Sequence, residues 1–159
     1  MNPCPCGYLG SPQHRCRCTP DQVTRYQGKL SGPFLDRIDL HVEVPAITTG
    51  ELLHAPFGET SASIRERCTA ARTVAFERQG KPNAALQGRE IDQVGQLDAK
   101  AAQFLNVAAA RLGWSARGVH RTLRVARTIA DLVLSTRTQT EHVAEAMQYR
   151  HSAMPNGSV

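Results

Sequence analysis

A chain of 159 residues is long enough for one ordinary domain or two small ones. Apolar residues make up 41% and charged residues 21%, which excludes a disordered chain, and no apolar run approaches the roughly 20 residues that span a bilayer. The net charge of +5, from 19 basic and 14 acidic residues, permits a nucleic-acid or nucleotide partner without requiring one.

The N-terminus, Met1-Asn2-Pro3-Cys4, carries no basic-then-apolar secretion signal, so the chain reads as cytoplasmic. Residues 1–18 are rich in Cys, Pro, Gly and Arg and cannot be regular structure. Four of the five cysteines fall here, in the pattern Cys4-x-Cys6-x9-Cys16-x-Cys18. In a cytoplasmic chain such clustering points to a metal site before a disulfide framework. Four thiolates match tetrahedral structural zinc, although C-x-C pairs are less typical of it than C-x2-C. An iron–sulfur centre, a disulfide pair and free thiols stand as rival readings, and His14 is a rival fourth ligand.

A helix follows to about Leu30. Thr19 is its N-cap, Pro20 its first residue, and Gln22 closes a capping box. From Ile38 to Val44 apolar and polar residues alternate, which predicts one strand ended by Pro45. Residues 46–59 read as a loop. A long helix is predicted over 60–79, with Ile64, Cys68, Ala71 and Ala75 on one buried face. A short helix is placed around Glu90–Val94, then three more. The first runs from Asp98 to Leu112. The second runs from Ala116 to Leu134, capped by Ser115, with Val119, Leu123, Ala126, Ala130 and Val133 facing the core. The third runs from Gln139 to Tyr149, with Thr138 and Glu141 as a capping box. The tail 151–159 reads as loose.

The fold class is therefore mainly α: a Cys-rich loop, a helix and one strand over 1–57, then a helical bundle over 58–150. A lone strand cannot bury itself, so the first part looks like the remnant of a domain.

Three stretches carry a resemblance. Asn2-Pro3-Cys4-Pro5-Cys6-Gly7 with Arg15-Cys16-Arg17-Cys18, then Leu35-Asp36-Arg37-Ile38-Asp39-Leu40, and finally Ser115-Ala116-Arg117 with Arg124-Val125-Ala126-Arg127-Thr128-Ile129-Ala130-Asp131, resemble magnesium-chelatase-like AAA+ ATPases of the ComM/YifB type. The resemblance covers nearly the whole chain. It implies the end of an AAA+ core followed by a helical lid, in an ATP-driven homo-oligomeric ring associated with DNA processing, recombination and transformation. It assigns Asn2 to sensor 1, Arg37 to the arginine finger acting on a neighbouring subunit's nucleotide, and Arg117 to sensor 2 on the nucleotide phosphates. Arg suits these roles because its planar fork of donors grips phosphate oxygens and stays charged.

Simpler roles stand beside these. Arg37 lies between Asp36 and Asp39, an arrangement suited to a surface ion pair. Arg117, Arg121 and Arg124 recur on one face of a helix, as on any solvated stripe. No Gly-x-x-x-x-Gly-Lys-Ser/Thr occurs and no apolar run ends in Asp-Glu, so ATP and Mg would be held by residues outside this sequence. By the resemblance those elements lie upstream, which makes Met1 an internal methionine of a longer protein. The alternative reading is a zinc-stabilised nucleic-acid-binding or assembly module, with Arg15 and Arg17 among the cysteines.

Overall fold

A computed structural model describes residues 1–45, 47, 49–54 and 56–151. They divide into two compact units. One comprises Met1–Ile38 and Val44–Ala55; the other comprises Asp39–Glu43 and the chain from Pro56 onward. No helix among the described residues is long and apolar enough to cross a membrane.

The first unit holds α1 (Pro20–Gln27), α2 (Gly32–Leu35) and α3 (Thr49–His54). The start of α1 is the capping box read from the sequence. The Gln22 backbone N–H donates to the Thr19 hydroxyl, and the Thr19 N–H donates to Gln22 Oε1 at 3.0 Å. Helix α2 begins where Ser31 caps Phe34 and Pro33 presets the first turn. Helix α3 lies inside the stretch predicted to be loop.

The predicted strand is absent. Residues 38–45 carry no strand among the described residues, and the apolar positions after Ile38 are exposed, Val42 by 66% and Val44 by 82%. A strand needs a partner ladder, and this segment pairs with helices instead. The His41 N–H donates to the Tyr149 carbonyl at 2.7 Å, and the Asp39 carboxylate accepts from Arg121.

The second unit holds α4 (Ser61–Gln79), a 3-10 turn (Asn83–Ala85), α5 (Arg89–Val94), α6 (Ala99–Arg111), α7 (Ala116–Leu132) and α8 (Thr140–His151). Side-chain caps from Thr60, Asp98 and Ser115 fix the starts of α4, α6 and α7. Leu86, Ile91, Leu105, Leu123, Ile129 and Val143 form its core with small alanines, so α7 packs tightly on α8. Each large apolar side chain buried here contributes about 1.5–3 kcal/mol.

Several predicted faces shift. Only Ala71 and Ala75 of α4 are buried; Ile64 and Cys68 are exposed, because residues 61–70 lie at the surface throughout. Val133 is 63% exposed because α7 ends at Leu132. The predicted Thr138–Glu141 box is replaced one residue on. The Gln139 N–H donates to His142 Nδ1 at 3.0 Å, while the Thr138 hydroxyl accepts from Arg127. Beyond His151 the tail lies outside the described residues.

At the buried end of α7 sits a charged network that periodicity did not expose. Arg127 and Asp131 are each 1% accessible. Asp131 accepts a bidentate pair from Arg78 of α4 at 2.7 and 2.9 Å, another bond from Asn83 at 2.7 Å, and two from Arg127. Arg127 also donates to the Ser135 and Thr136 carbonyls and to the Thr138 hydroxyl. Burial raises the Asp131 carboxyl, but the hydrogen bonds from Arg78 and Asn83 and the two guanidinium charges outweigh it and hold the group below its usual 3.8.

A folded-state pKa below the unfolded one means that the stabilisation is complete above the unfolded value and is lost as pH falls through the folded one. Asp131→Asn therefore costs about 3–5 kcal/mol at neutral pH, since it leaves buried guanidinium uncompensated. The difference from wild type narrows below about pH 4. Urea unfolding followed by Trp114 fluorescence, at pH 7 and at pH 3, measures both.

Candidate functional site

The Cys-rich loop is folded by two reversals. Gly7 at φ +83° turns the chain after Cys6, with its N–H on the Cys4 carbonyl at 3.1 Å. A second turn bonds the Ser11 N–H to the Tyr8 carbonyl. The chain then returns through Arg15–Cys18, which form neither helix nor strand, and Gln27 of α1 ties back to the Pro3 carbonyl at 3.0 Å.

This path brings the four cysteines together. Their sulfurs all lie within 4.8 Å of one another. Cys4 Sγ is 3.4 Å from Cys6 Sγ and 3.7 Å from Cys16 Sγ, and Cys6 and Cys16 are 3.6 Å apart. Sulfurs about 2.3 Å from a tetrahedral zinc stand about 3.8 Å from each other. The spacing thus fits four ligands around one ion and exceeds the roughly 2.05 Å of a disulfide bond. His14 is not in this group; its ring lies against Tyr8, with centroids 4.9 Å apart.

The thiols are electrostatically unequal. Hydrogen bonds from the Tyr8 and Arg17 backbones pull Cys6 down to about 6. Cys18 receives a bond from the Cys6 backbone that favours thiolate, yet burial and the crowding sulfurs push it up to about 12. Cys16 is also raised. Four sulfurs this close cannot all ionise without a cation between them, and a divalent metal supplies that charge.

The arginines named from the sequence are dispersed. Asn2 and Arg37 are both exposed in the first unit, Arg37 in the turn just after α2. Arg117 is exposed in the first turn of α7 in the second unit, with no hydrogen-bond or ion-pair partner among the described residues. The helix below it is fixed from both sides. The Gly118 N–H donates to Ser115 Oγ at 3.2 Å, and Arg150 of α8 lies 5.5 Å above the Trp114 ring. A Cβ at Gly118 would stand 3.0 Å from the Arg150 guanidinium.

The expected solvated arginine stripe is not one. Arg121 is 17% exposed and paired with Asp39, and Arg124 reaches the Ala84 and Leu86 carbonyls. Arg117 alone of the three is exposed and without a hydrogen-bond or ion-pair partner among the described residues.

The family profile for the C-terminal part of the magnesium chelatase ChlI protein matches residues 58–150, and the profile for magnesium chelatase ChlI itself matches residues 1–52. The chain belongs to the magnesium-chelatase-like family. This member is 45% identical over 151 residues to competence protein ComM of Haemophilus influenzae, covering 94% of this chain and 29% of that protein. It is 44% identical over 151 residues to uncharacterized protein YifB of Salmonella typhimurium, again covering 94% of this chain and 29% of the relative. An uncharacterized Mycobacterium tuberculosis protein is 37% identical over 155 residues, which is 95% of this chain and 30% of that one. The magnesium-chelatase-like chain thus spans under a third of the length of these relatives.

The candidate residues legible in the sequence were those with a local pattern: paired cysteines and a capped arginine helix. Arg78 and Asn83 gave no such signal, because their partner Asp131 lies about fifty positions further on. The cysteine geometry carries a direct expectation. Protein expressed reduced with zinc binds about one equivalent by elemental analysis. Cys16→Ser lowers the content by more than half, and Cys68→Ser, at an exposed position outside the cluster, leaves it unchanged.

Proposed function

We propose that this chain is the C-terminal portion of an ATP-driven ring motor, ending the AAA+ core and supplying the helical lid, with a zinc-stabilised loop in the core portion. The observation that carries the reading is Arg117. It is an exposed guanidinium with no hydrogen-bond or ion-pair partner among the described residues, in the first turn of a helix held by a serine cap and by the Trp114–Arg150 stack, in a chain whose two parts match two successive family profiles. A cation at a helix start, where N–H groups also point outward, suits a nucleotide phosphate.

In this reading Arg117 senses the nucleotide from the lid. Arg37 reaches the nucleotide of the neighbouring subunit, and Asn2 orients the attacking water. ATP and Mg are gripped by residues outside this sequence. The catalytic contribution of this chain is positive charge at the equatorial oxygens as the phosphoryl group transfers. The name of the Haemophilus relative, competence protein ComM, supports a role for the proposed motor in DNA processing during transformation.

Two mutations in the whole protein test this. Arg37→Ala leaves ATP binding largely intact and lowers turnover by about 10²-fold or more, since the lost contact belongs to the transition state. Lys at this position rescues poorly, lacking the planar fork. Mixing Arg37→Ala with a protomer lacking its phosphate-loop lysine restores partial activity if the finger acts in trans. Unchanged turnover, or loss of the fold on substitution, makes Arg37 structural and ends the assignment. The 159-residue chain alone shows no magnesium-dependent ATP hydrolysis above a mock preparation.

A further inference from the structure

Beside the four cysteines the loop opens a cleft of about 640 Å³ lined by Cys6, Tyr8, His14, Arg15, Cys16 and Arg17. Neither the metal centre nor the proposed motor uses its polar side chains. Arg15 and Arg17 are exposed and have no hydrogen-bond or ion-pair partner among the described residues. The sequence holds no acidic residue from Met1 to Pro20, so no local carboxylate competes for them. Tyr8 is 45% exposed with its ring tilted 58° against His14, leaving ring surface open to a further planar group.

The placement follows from the cysteines. Along the segment Arg15–Cys18, exposure alternates: both arginines are exposed and both cysteines half-buried. Fixing Cys16 and Cys18 in the sulfur cluster therefore holds the backbone of both arginines, one on each side of Cys16, beside the cleft that they line. A pair of exposed cations lining one cleft with an exposed aromatic ring is an arrangement suited to tracking a phosphate backbone and stacking a base.

We propose that this cleft binds single-stranded nucleic acid, with Arg15 and Arg17 on successive phosphates and a base stacked on Tyr8. The site is built by the metal loop and rests on the metal reading, not on the ATPase assignments. A four-thiolate zinc centre carries a formal charge of about −2, which two arginines could merely offset. Their exposure favours an external anion.

The test uses the zinc-loaded chain and a fluorescent oligothymidylate, with affinity read by anisotropy at several salt concentrations. Binding is expected to weaken with salt. Replacing both arginines, Arg15→Gln with Arg17→Gln, reduces the magnitude of the log–log salt slope by about 1.4, the value for two phosphates on a single strand. Tyr8→Ala weakens binding by roughly 5- to 150-fold with the slope unchanged, because stacking is not ionic. Arg111→Gln, at an exposed position in the last turn of α6, leaves affinity and slope as they were. Zinc measured on the same samples reports the metal centre separately.

Absence of binding at low salt by zinc-loaded protein overturns the proposal. So does an unchanged slope in the double variant, an equal effect of Arg111→Gln, or loss of binding only in variants that have shed their zinc. Polyglutamate competing as well as the oligonucleotide also overturns it, since an acidic peptide would then be the better ligand.

Discussion

The second unit is organised around the carboxylate of Asp131. Five hydrogen bonds converge on it from α4, the 3-10 turn and its own helix. A buried ion pair often contributes little net stability, because desolvation offsets attraction. What this one supplies is geometry. Asp131 can accept from Arg78, Asn83 and Arg127 together only when α4, residues 83–85 and α7 meet in one arrangement. The surrounding core is rich in alanine, and small side chains alone would tolerate sliding of one helix along another. The polar network fixes the register that the apolar surface leaves loose.

That register reaches the candidate functional residues. Helix α7 is held at its C-terminal end by Asp131 and Arg127 and at its N-terminal end by the Ser115 cap and the Trp114–Arg150 stack. Arg117 projects from a helix gripped at both ends, so its exposed position is set by the packing of the whole bundle. Gly118 permits this, because any side chain there would press on the Arg150 guanidinium. The cysteine loop achieves order by a different route. It has little apolar surface and is ordered by its turns and by the convergence of its four sulfurs.

Much of the helical unit was legible because its signals are local. Ser115 marks the start of α7 within three positions, as Thr19 does for α1 in the first unit, and the apolar spacing of Leu123, Ala126 and Ala130 names the buried face of α7. The errors have physical reasons as well. Alternation over Ile38–Val44 describes a strand only if another strand lies alongside, and the segment bonds to Tyr149 and Arg121 of the helical unit instead. The periodic face of α4 predicted burial for Ile64 and Cys68, but periodicity cannot tell how far a neighbouring helix extends. Arg121 and Arg124 looked like solvated charges because their acceptors, Asp39 and the Ala84 carbonyl, are distant in sequence. The four cysteines were legible as a cluster, while their sulfur spacing and the bias of Cys6 toward thiolate were not.

The grip of Arg127 on the turn between α7 and α8 has a consequence for motion. Short turns between helices are ordinarily where a bundle first breathes. Here the carbonyls of Ser135 and Thr136 and the hydroxyl of Thr138 are all tied to one buried guanidinium. The Thr138 N–H is itself bonded to the Gln96 carbonyl, and its own carbonyl accepts from Asp98. Releasing this turn means exposing Arg127 and Asp131 to water, which requires the unit as a whole to open. Its amide protons should therefore exchange with solvent as slowly as those of the core helices, and the turn belongs to the last-opening part of the molecule.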